Sequence, residues 1–475
     1  MVTVAETRAA DASAAARVGE QKLIERAATA VAVEASRLLR AATGGVYGAR
    51  VGVLAGSGHN GADALLAGRL LAGRGVQVRV VRSAERAGDA FWQRAARGLE
   101  VVDHLGEVDL VLDGMVGVGA AGALRGRAAE LVSAVPRGTV IVAVDIASGV
   151  DADTGAVDGP AVRADVTVTF DRAKPGHLIG SGATHTGQLI IASIGLDYPG
   201  DVPSAALPLG VLDADDVAAL LPTPGQHADK YSRGVVGVVA GSERYPGAAV
   251  LCTGGAIRAG AGYVRYQGSA GPAVLAAWPT AVVGEGRVDA YACGSGLDGT
   301  GPDRASVERV LASDVAAVFD AGALDLGAEA FRGRAAPTLL TPHAGEFVRL
   351  TGMDPRRDPV AAARAAARDL GVHVLLKGMH TVVAAPDGRA RINPTGCTWL
   401  STAGTGDVLT GAVAALLAGA VKRGGVDLLA VAAGAAFLHG LAGRFAPIPL
   451  NAADLLAHWA QAVSAVLGAG EPDND

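Results

Sequence analysis

Apolar and polar positions fall into two long series along the chain, each predicting buried strands separated by amphipathic helices. The first series follows a helix expected over residues 19–40 and places apolar runs at 51–55, 76–81, 109–112, 139–144 and 166–170. Short runs without polar alternation suit strands covered on both faces, so the pattern means βαβ units and a mainly parallel sheet. Around residues 195–224 it lapses into DYPGDVPSAALPLG and LPTPG, proline- and glycine-rich stretches that suit a linker. A second series, at 234–240, 288–293, 315–319, 338–340 and 372–376, ends in long helices starting near Gly406. The expectation is a doubly wound α/β protein of two domains, 1–210 and 211–475. The two glycine-rich turns, GSGHNGADAL and STAGTGDVLTG, order their polar groups differently, so the halves do not read as duplicates.

Size agrees, since 475 residues at about 150 per domain give two or three domains. Half of the residues are apolar, 19% are charged and 67 are glycine, a composition for tightly packed α/β cores rather than disorder. Aromatics at 4% and a net charge of -6 provide neither stacking platforms nor a basic field, which sets nucleic acid aside and favours a small soluble ligand. Cys252, Cys293 and Cys397 lie far apart without metal-ligand spacing and read as reduced core thiols. Charges at Glu6, Arg8, Asp11, Arg17 and Glu20 interrupt any signal peptide. The alanine-rich stretches near 412–418 and 428–441 are broken by Gly, Lys, Arg and His, and are expected to be buried helices of a cytoplasmic protein, not membrane spans.

The order strand, Gly-x-Gly, helix at GSGHNGADALLAGRLL lets a backbone approach a phosphate, yet alone it is a weak signal. His59, Asn60 and Asp63 sharpen it, leaving binding and a well-capped structural turn evenly matched. Two further strand ends carry Asp113, in LVLDGMVGVGAAG, and Asp145 with Ser148, in VAVDIASGVDADTG. Oxygen ligands converging there could hold a hard cation, and a carboxylate among them could act as acid or base. For each aspartate alone, capping its loop is the favoured reading, and the three strand ends together shift the balance toward a site. A dinucleotide turn would place an acidic ribose partner about 20 residues on, where this chain reads Val81-Arg82-Ser83.

The strongest motif is Ala403-Gly404-Thr405-Gly406-Asp407 at the start of an apolar helix. Its N–H groups can stabilise an anion while Asp407 takes a proton from an attacking hydroxyl; the competing reading is Asp407 as a helix N-cap. Upstream lie Lys377-Gly378-Met379-His380-Thr381, whose lysine can reach a phosphate, and TPHAGE, whose His343 is either a cap-like residue or a substrate contact.

The N-terminal half resembles the NAD(P)H-hydrate epimerase family, with its glycine-rich turn, Asp-x-x-x-Gly-x-Gly loop and Asp-Ile-x-Ser-Gly segment. The resemblance implies that His59, Asn60, Gly61, Ala62 and Asp63, with Gly117, Val118, Gly119, Ala120, Ala121, Gly122 and Ala123, line the hydrated nucleotide. It also implies Asp145 as the contact and acid/base at the hydrate, and Asn60, Asp113 and Ser148 as potassium ligands; Lys174 in TFDRAKPGHL matches another family motif. His59, Ala62 and Ala147 stand where that family has Asn, Gly and Pro.

The stretches GSERYPGA, Cys293-Gly-Ser-Gly296, Asp320-Ala-Gly-Ala-Leu324, TPHAGE, KGMHT and AGTGD resemble the NAD(P)H-hydrate dehydratase family. That implies Ala248, Gly296, His343 and Asp407 at the hydrate, and Lys377, Gly378, Met379, His380, Thr381, Gly404, Thr405 and Gly406 at the adenine nucleotide. Departures are Gly322 for Asp, Ser295 for Pro and Ala403 for Gly. Together the resemblances imply a Rossmann-like three-layer αβα domain followed by a ribokinase-like α/β domain. The expected function is repair of NADHX and NADPHX by epimerisation and ADP-dependent dehydration, with Mg2+ and K+, in a homo-oligomer. Two rivals are a ribokinase-like vitamin kinase with a non-catalytic N-terminal domain, and a first half that only senses nucleotide or serves as a scaffold.

Overall fold

A computed structural model of the chain describes residues 1–83, 94–120, 122–198, 208–222, 229–298 and 301–468. The chain divides into two compact units, Met1–Asp201 and Val202–Asp475, each with its own sheet and core.

The first sheet comprises β1 Arg50–Ala55, β2 Gln77–Arg82, β3 Glu100–Val101, β4 Leu110–Gly114, β5 Val140–Val144, β6 Val166–Phe170 and β7 Gln188–Ala192. They lie in the order β3-β2-β1-β4-β5-β6-β7, all parallel. From β1 the chain winds outward to β2 on one side and returns to β4 on the other, the change of direction at which such sheets place their ligand sites. All five apolar runs form strands. The edge strand β7 has no fully buried residue, and its apolar run at 189–192 is not among the five.

The helix expected at 19–40 is Glu20–Thr43, and an unexpected helix, Val4–Val18, precedes it, the two divided where Gly19 adopts φ 88°. The first starts with a capping box in which the Thr3 side chain accepts from Glu6 N–H and Glu6 reaches back to Thr3. Its buried face is small, chiefly Thr7, Ala10 and Ala14, so the apolar period does not reveal it.

The second sheet holds β8 Leu209–Gly210, β9 Val235–Val239, β10 Tyr263–Tyr266, β11 Val282–Val283, β12 Ala290–Cys293, β13 Ala316–Phe319, β14 Thr338–Leu340, β15 His373–Leu376, β16 Val382–Ala384 and β17 Ala390–Ile392. Their order is β11-β10-β9-β12-β13-β14-β15-β16-β17-β8. Strands β11 to β15 run parallel, β16 pairs antiparallel with both neighbours, and β8 lies parallel to β17. Because Leu209 pairs with Ala390, the boundary expected at 210/211 moves to 201/202: residues 209 and 210 complete the second sheet.

The helix Thr405–Lys422 is apolar on nearly every side and lies in the core, as such a helix must. It crosses the helix Pro246–Arg258 through glycines. A Cβ on Gly411 would stand 1.9 Å from Cys252 O, and one on Gly255 would stand 2.2 Å from Val408 O. Contrary to the expectation from composition, Thr405–Lys422 and Leu428–Phe445 are long and apolar enough to cross a membrane; here 78% and 72% of their residues are buried in the second unit's core.

Candidate functional sites

In the first unit, the turn after β1 brings the helix His59–Ala72 against the loop after β4. Contact is so close that a Cβ on Gly56 would stand 1.9 Å from Met115 O and one on Gly61 would stand 2.1 Å from Gly56 O. Asn60 uses its Nδ2 to donate to Val116 O at 2.9 Å and Val144 O at 2.7 Å, which pins the helix start to the ends of β4 and β5. Its Oδ1 lies 3.3 Å from where a Gly117 Cβ would be. Asp113 is fully buried and accepts from the Ser148 N–H at 2.8 Å, the Ser148 hydroxyl at 2.7 Å and the Met115 N–H at 3.3 Å. Burial pushes it up to about 6 despite those bonds.

Asp145 occupies the left-handed region at φ 63°, a strained conformation for a residue with a side chain. Its Oδ1 accepts from Lys174 Nζ and from Thr169 Oγ1, both at 2.7 Å, and the lysine is wholly buried. Burial alone would raise Asp145, but the Lys174 charge and these bonds outweigh it and hold the carboxyl below its ordinary range. His177 Nδ1 accepts from Lys174 N–H at 3.1 Å, so Nε2 carries the proton that goes to Asp145 O at 2.8 Å. Burial first, then the Lys174 charge, push His177 down to about 4.

Of the other expected residues, Asp63 is buried beside this group and Ala62 sits unstrained in the helix. His59 instead points outward to Glu20, 2.6 Å away. Ala120 closes a turn onto Gly117, Gly119 O accepts from Arg8 at 3.4 Å, and Ala123 packs where a Gly159 Cβ would fall. Val118 is half-buried in the same loop, and Gly122 takes φ 77°. Ala121 lies outside the described residues. Sequence reasoning marks Lys174 only as a motif match without a role and does not single out Thr169 or His177.

In the second unit the site lies at the carboxyl ends of β9, β12, β13, β14 and β15. Gly404, at φ 92°, is the N-cap of Thr405–Lys422, so Asp407 does not cap it but stands in its first turn. Burial pushes Asp407 up to about 7, helped by the Asp320 charge and opposed by a Ser295 hydrogen bond and the Lys377 charge. Asp320 is buried and takes Lys377 Nζ at 2.5 Å, Thr341 Oγ1 at 2.9 Å and Thr410 Oγ1 at 3.0 Å. Lys377 also lies 3.7 Å from Glu346; burial works against its charge, but Asp320 and Glu346 outweigh burial and raise it. A Cβ on Gly406 would be 3.4 Å from Lys377 Nζ, so the ammonium faces the bare helix start.

A cleft of about 410 Å³ opens on that side, lined by Lys377, Gly378, Met379, Thr381, Thr405, Gly406, His343 and His439. His380 is not among its lining residues, and burial pushes that imidazole down to about 4. Asp407 is also not among its lining residues; a Cβ on Gly404 would clash with Leu251 at 2.5 Å and lie 3.9 Å from Asp407 Oδ2, and Leu251 is on the helix whose first turn carries Ala248. Ala248 and Gly296 touch, a Gly296 Cβ falling 2.5 Å from that of Ala248.

His343 is a cap, its Nδ1 accepting from Gly345 and Glu346 N–H while Glu346 accepts from His343 N–H; it also reaches the cleft. His439 carries no signal in the sequence. It is buried, donates to Thr405 O at 2.9 Å and steadies the glycine turn. Asp320 likewise has no role in the sequence reasoning, although it ends an apolar run as Asp113 and Asp145 do.

Residues 236–460 match the family described as NAD(P)H-hydrate dehydratase, and residues 20–176 the YjeF-related protein N-terminus, on a fold of the ribokinase-like kind in the second unit. This class is a two-unit α/β enzyme of cofactor repair. The bifunctional NAD(P)H-hydrate repair enzyme Nnr of Mycobacterium tuberculosis (strain CDC 1551 / Oshkosh) is 44% identical over 431 residues, covering 88% of this chain and 89% of its own. Its Mycobacterium leprae counterpart is 42% identical over 486 residues, covering 98% and 99%. A crystal structure of the ADP/ATP-dependent NAD(P)H-hydrate dehydratase from Bacillus subtilis, co-crystallised with ATP and Mg2+, is 30% identical with a TM-score of 0.50, covering 54% of this chain and 98% of that one. The chain belongs to the bifunctional NAD(P)H-hydrate repair family, an epimerase unit followed by a dehydratase unit. With both halves matched, the vitamin-kinase reading is not favoured.

Proposed function

We propose that the two units act in sequence on NADHX and NADPHX, Asp145 serving the exchange of epimers and Asp407 the dehydration of the S form. The observation that carries the second step is that Asp407 directly follows Gly406, the bare first-turn glycine that the Lys377 ammonium faces, so a base and a cation flank one helix start. The hydrate's ring hydroxyl would meet Asp407 beside Ala248 and Gly296, and the nucleotide's phosphates would meet Lys377 and the Gly404, Thr405 and Gly406 amides. Gly378, Met379 and Thr381 would border the nucleotide.

Asp407 takes the hydroxyl proton as that oxygen attacks the terminal phosphate of ADP, and AMP leaves. The ring nitrogen then expels the phosphate ester, a far better leaving group than hydroxide, and loss of a proton from the adjacent carbon restores the reduced cofactor. The amides hold the charge that develops on the phosphoryl oxygens. Mg2+, when bound with the nucleotide, supplies positive charge to those phosphates; Bacillus ATP/Mg2+ co-crystals support its use here.

In the first unit the residues expected to hold K+ fit such an ion. Asp113 is a buried carboxyl bonded only by uncharged donors, and Asn60 spends its amide nitrogen on carbonyls, which leaves its oxygen to turn toward the Gly117 loop. A hard cation bound by Asn60, Asp113 and Ser148 would tie that loop to the end of β4. We place the enzyme in the cytoplasm as a homo-oligomer, in keeping with its family and with a substrate drawn from the reduced nicotinamide pool. The direct test is stoichiometry with purified S hydrate: one AMP and one phosphate per reduced cofactor restored supports the reading, and cofactor restored without ADP cleavage refutes it.

A further inference from the structure

We propose that Asp63 is a second catalytic residue of the epimerase unit, the proton donor that works opposite Asp145. This inference rests on the epimerase reading above and deepens it. Asp63 follows Asn60 by three residues on the helix His59–Ala72, so the two side chains leave the same face. Asn60 Nδ2 reaches Val144 O, the residue before Asp145, and so fixes that face toward the carboxyl end of β5. Asp63 is only 6% exposed, and its Oδ1 has no hydrogen-bond partner. A buried carboxylate oxygen left unpaired is costly, and it marks a group waiting for something to bind.

The surroundings of the two carboxyls push them in opposite directions. Asp63 is faced by Asp145 and by Asp11 of the helix Val4–Val18; burial first, then those two charges, hold it well above the ordinary carboxylate range. Lys174, the nearby ammonium, is spent on Asp145 and Thr169, while the His59 and Lys174 charges act on Asp11. Asp145 is held ionised by its lysine. A protonated acid beside an ionised base is the arrangement that proton exchange at neutral pH requires.

The hydroxyl-bearing carbon of the hydrate is bonded to the ring nitrogen. Asp145 takes the hydroxyl proton as the carbon–nitrogen bond breaks; the electron pair goes to nitrogen, which receives the Asp63 proton. The resulting aldehyde turns and nitrogen closes on its opposite face, returning its proton to Asp63 while Asp145 gives its own to the new alkoxide. Nothing is consumed, and only the configuration changes.

The test uses full-length Asp63→Asn and the wild type, following R/S exchange by NMR across pH, hydrate affinity by calorimetry, and ADP-dependent dehydration of purified S hydrate as the folding control. The expected result is a fall of about a hundredfold or more in kcat for exchange, well beyond any loss of hydrate affinity, with S dehydration changed less than about threefold. The wild-type rate should also fall at alkaline pH, where Asp63 loses its proton, and that limb should be missing from the variant. A smaller loss, a loss that follows hydrate affinity, or an unchanged alkaline limb overturns the role of Asp63. Wild type that exchanges no epimers overturns the epimerase reading itself.

Discussion

Lys174 and Asp145 form an ion pair of 2.7 Å at the end of β5, with the lysine wholly buried and the Thr169 hydroxyl bonded to both. Lys174→Met leaves a buried carboxylate without its counter-charge. The first unit should lose about 3–5 kcal/mol in denaturant unfolding. Epimer exchange should collapse even in folded protein, because without the lysine burial raises Asp145 and protonates the base.

Asp407 stands at about 7, raised by burial and by Asp320. A base must be ionised, so ADP-dependent dehydration of the S hydrate should rise with pH and reach half its plateau near pH 7. Asp407→Asn should lower kcat by about a thousandfold. Asp320→Asn removes a charge that raises Asp407 and frees Lys377, which lowers it, so the residual activity should show its midpoint moved to lower pH.

Part of each site is legible in the sequence, and the reason is physical. A strand buried on both faces reads as an apolar run, and a carboxylate that ends the run stands out, as Asp113 and Asp145 do. Asp407 stands out because three small residues precede it. His439 sits within the apolar helix Leu428–Phe445, where one polar residue has no sequence neighbour to explain it; its partner, Thr405, is 34 residues away. The helix Val4–Val18 is silent because alanines bury little and leave no period, and β17 is silent because a buried arginine, Arg391, interrupts its three residues.

Close glycine contacts should be the second unit's least tolerant positions. Gly411→Ala drives a methyl to within 1.9 Å of Cys252 O, a backbone atom that cannot turn aside. We expect a loss of about 1–3 kcal/mol or more, read as a lower Tm. Gly45→Ala, with nothing within 4 Å and no positive φ, should change stability by less than about 0.5 kcal/mol.

His439 is pushed from 6.5 to about 4 chiefly by burial. The folded state therefore favours the neutral ring: this contribution is fully present above pH 6.5 and is lost as pH falls toward about 4. Its size is on the order of 3 kcal/mol. Urea unfolding of the second unit should show stability dropping between about pH 7 and about pH 4.5, with a shallower drop in His439→Gln, which keeps a donor for Thr405 O.

The central claim is a division of labour between two aspartates in one chain. It is tested most directly by following the reduced-nicotinamide absorbance recovered from a mixed R/S hydrate with ADP and Mg2+, in wild type, Asp145→Asn and Asp407→Asn. Wild type should recover the whole mixture. Asp145→Asn should recover the S fraction at the wild-type rate and then stall, and Asp407→Asn should recover almost nothing. Full recovery by Asp145→Asn at the wild-type rate, or ADP-dependent recovery that survives Asp407→Asn, would contradict the account.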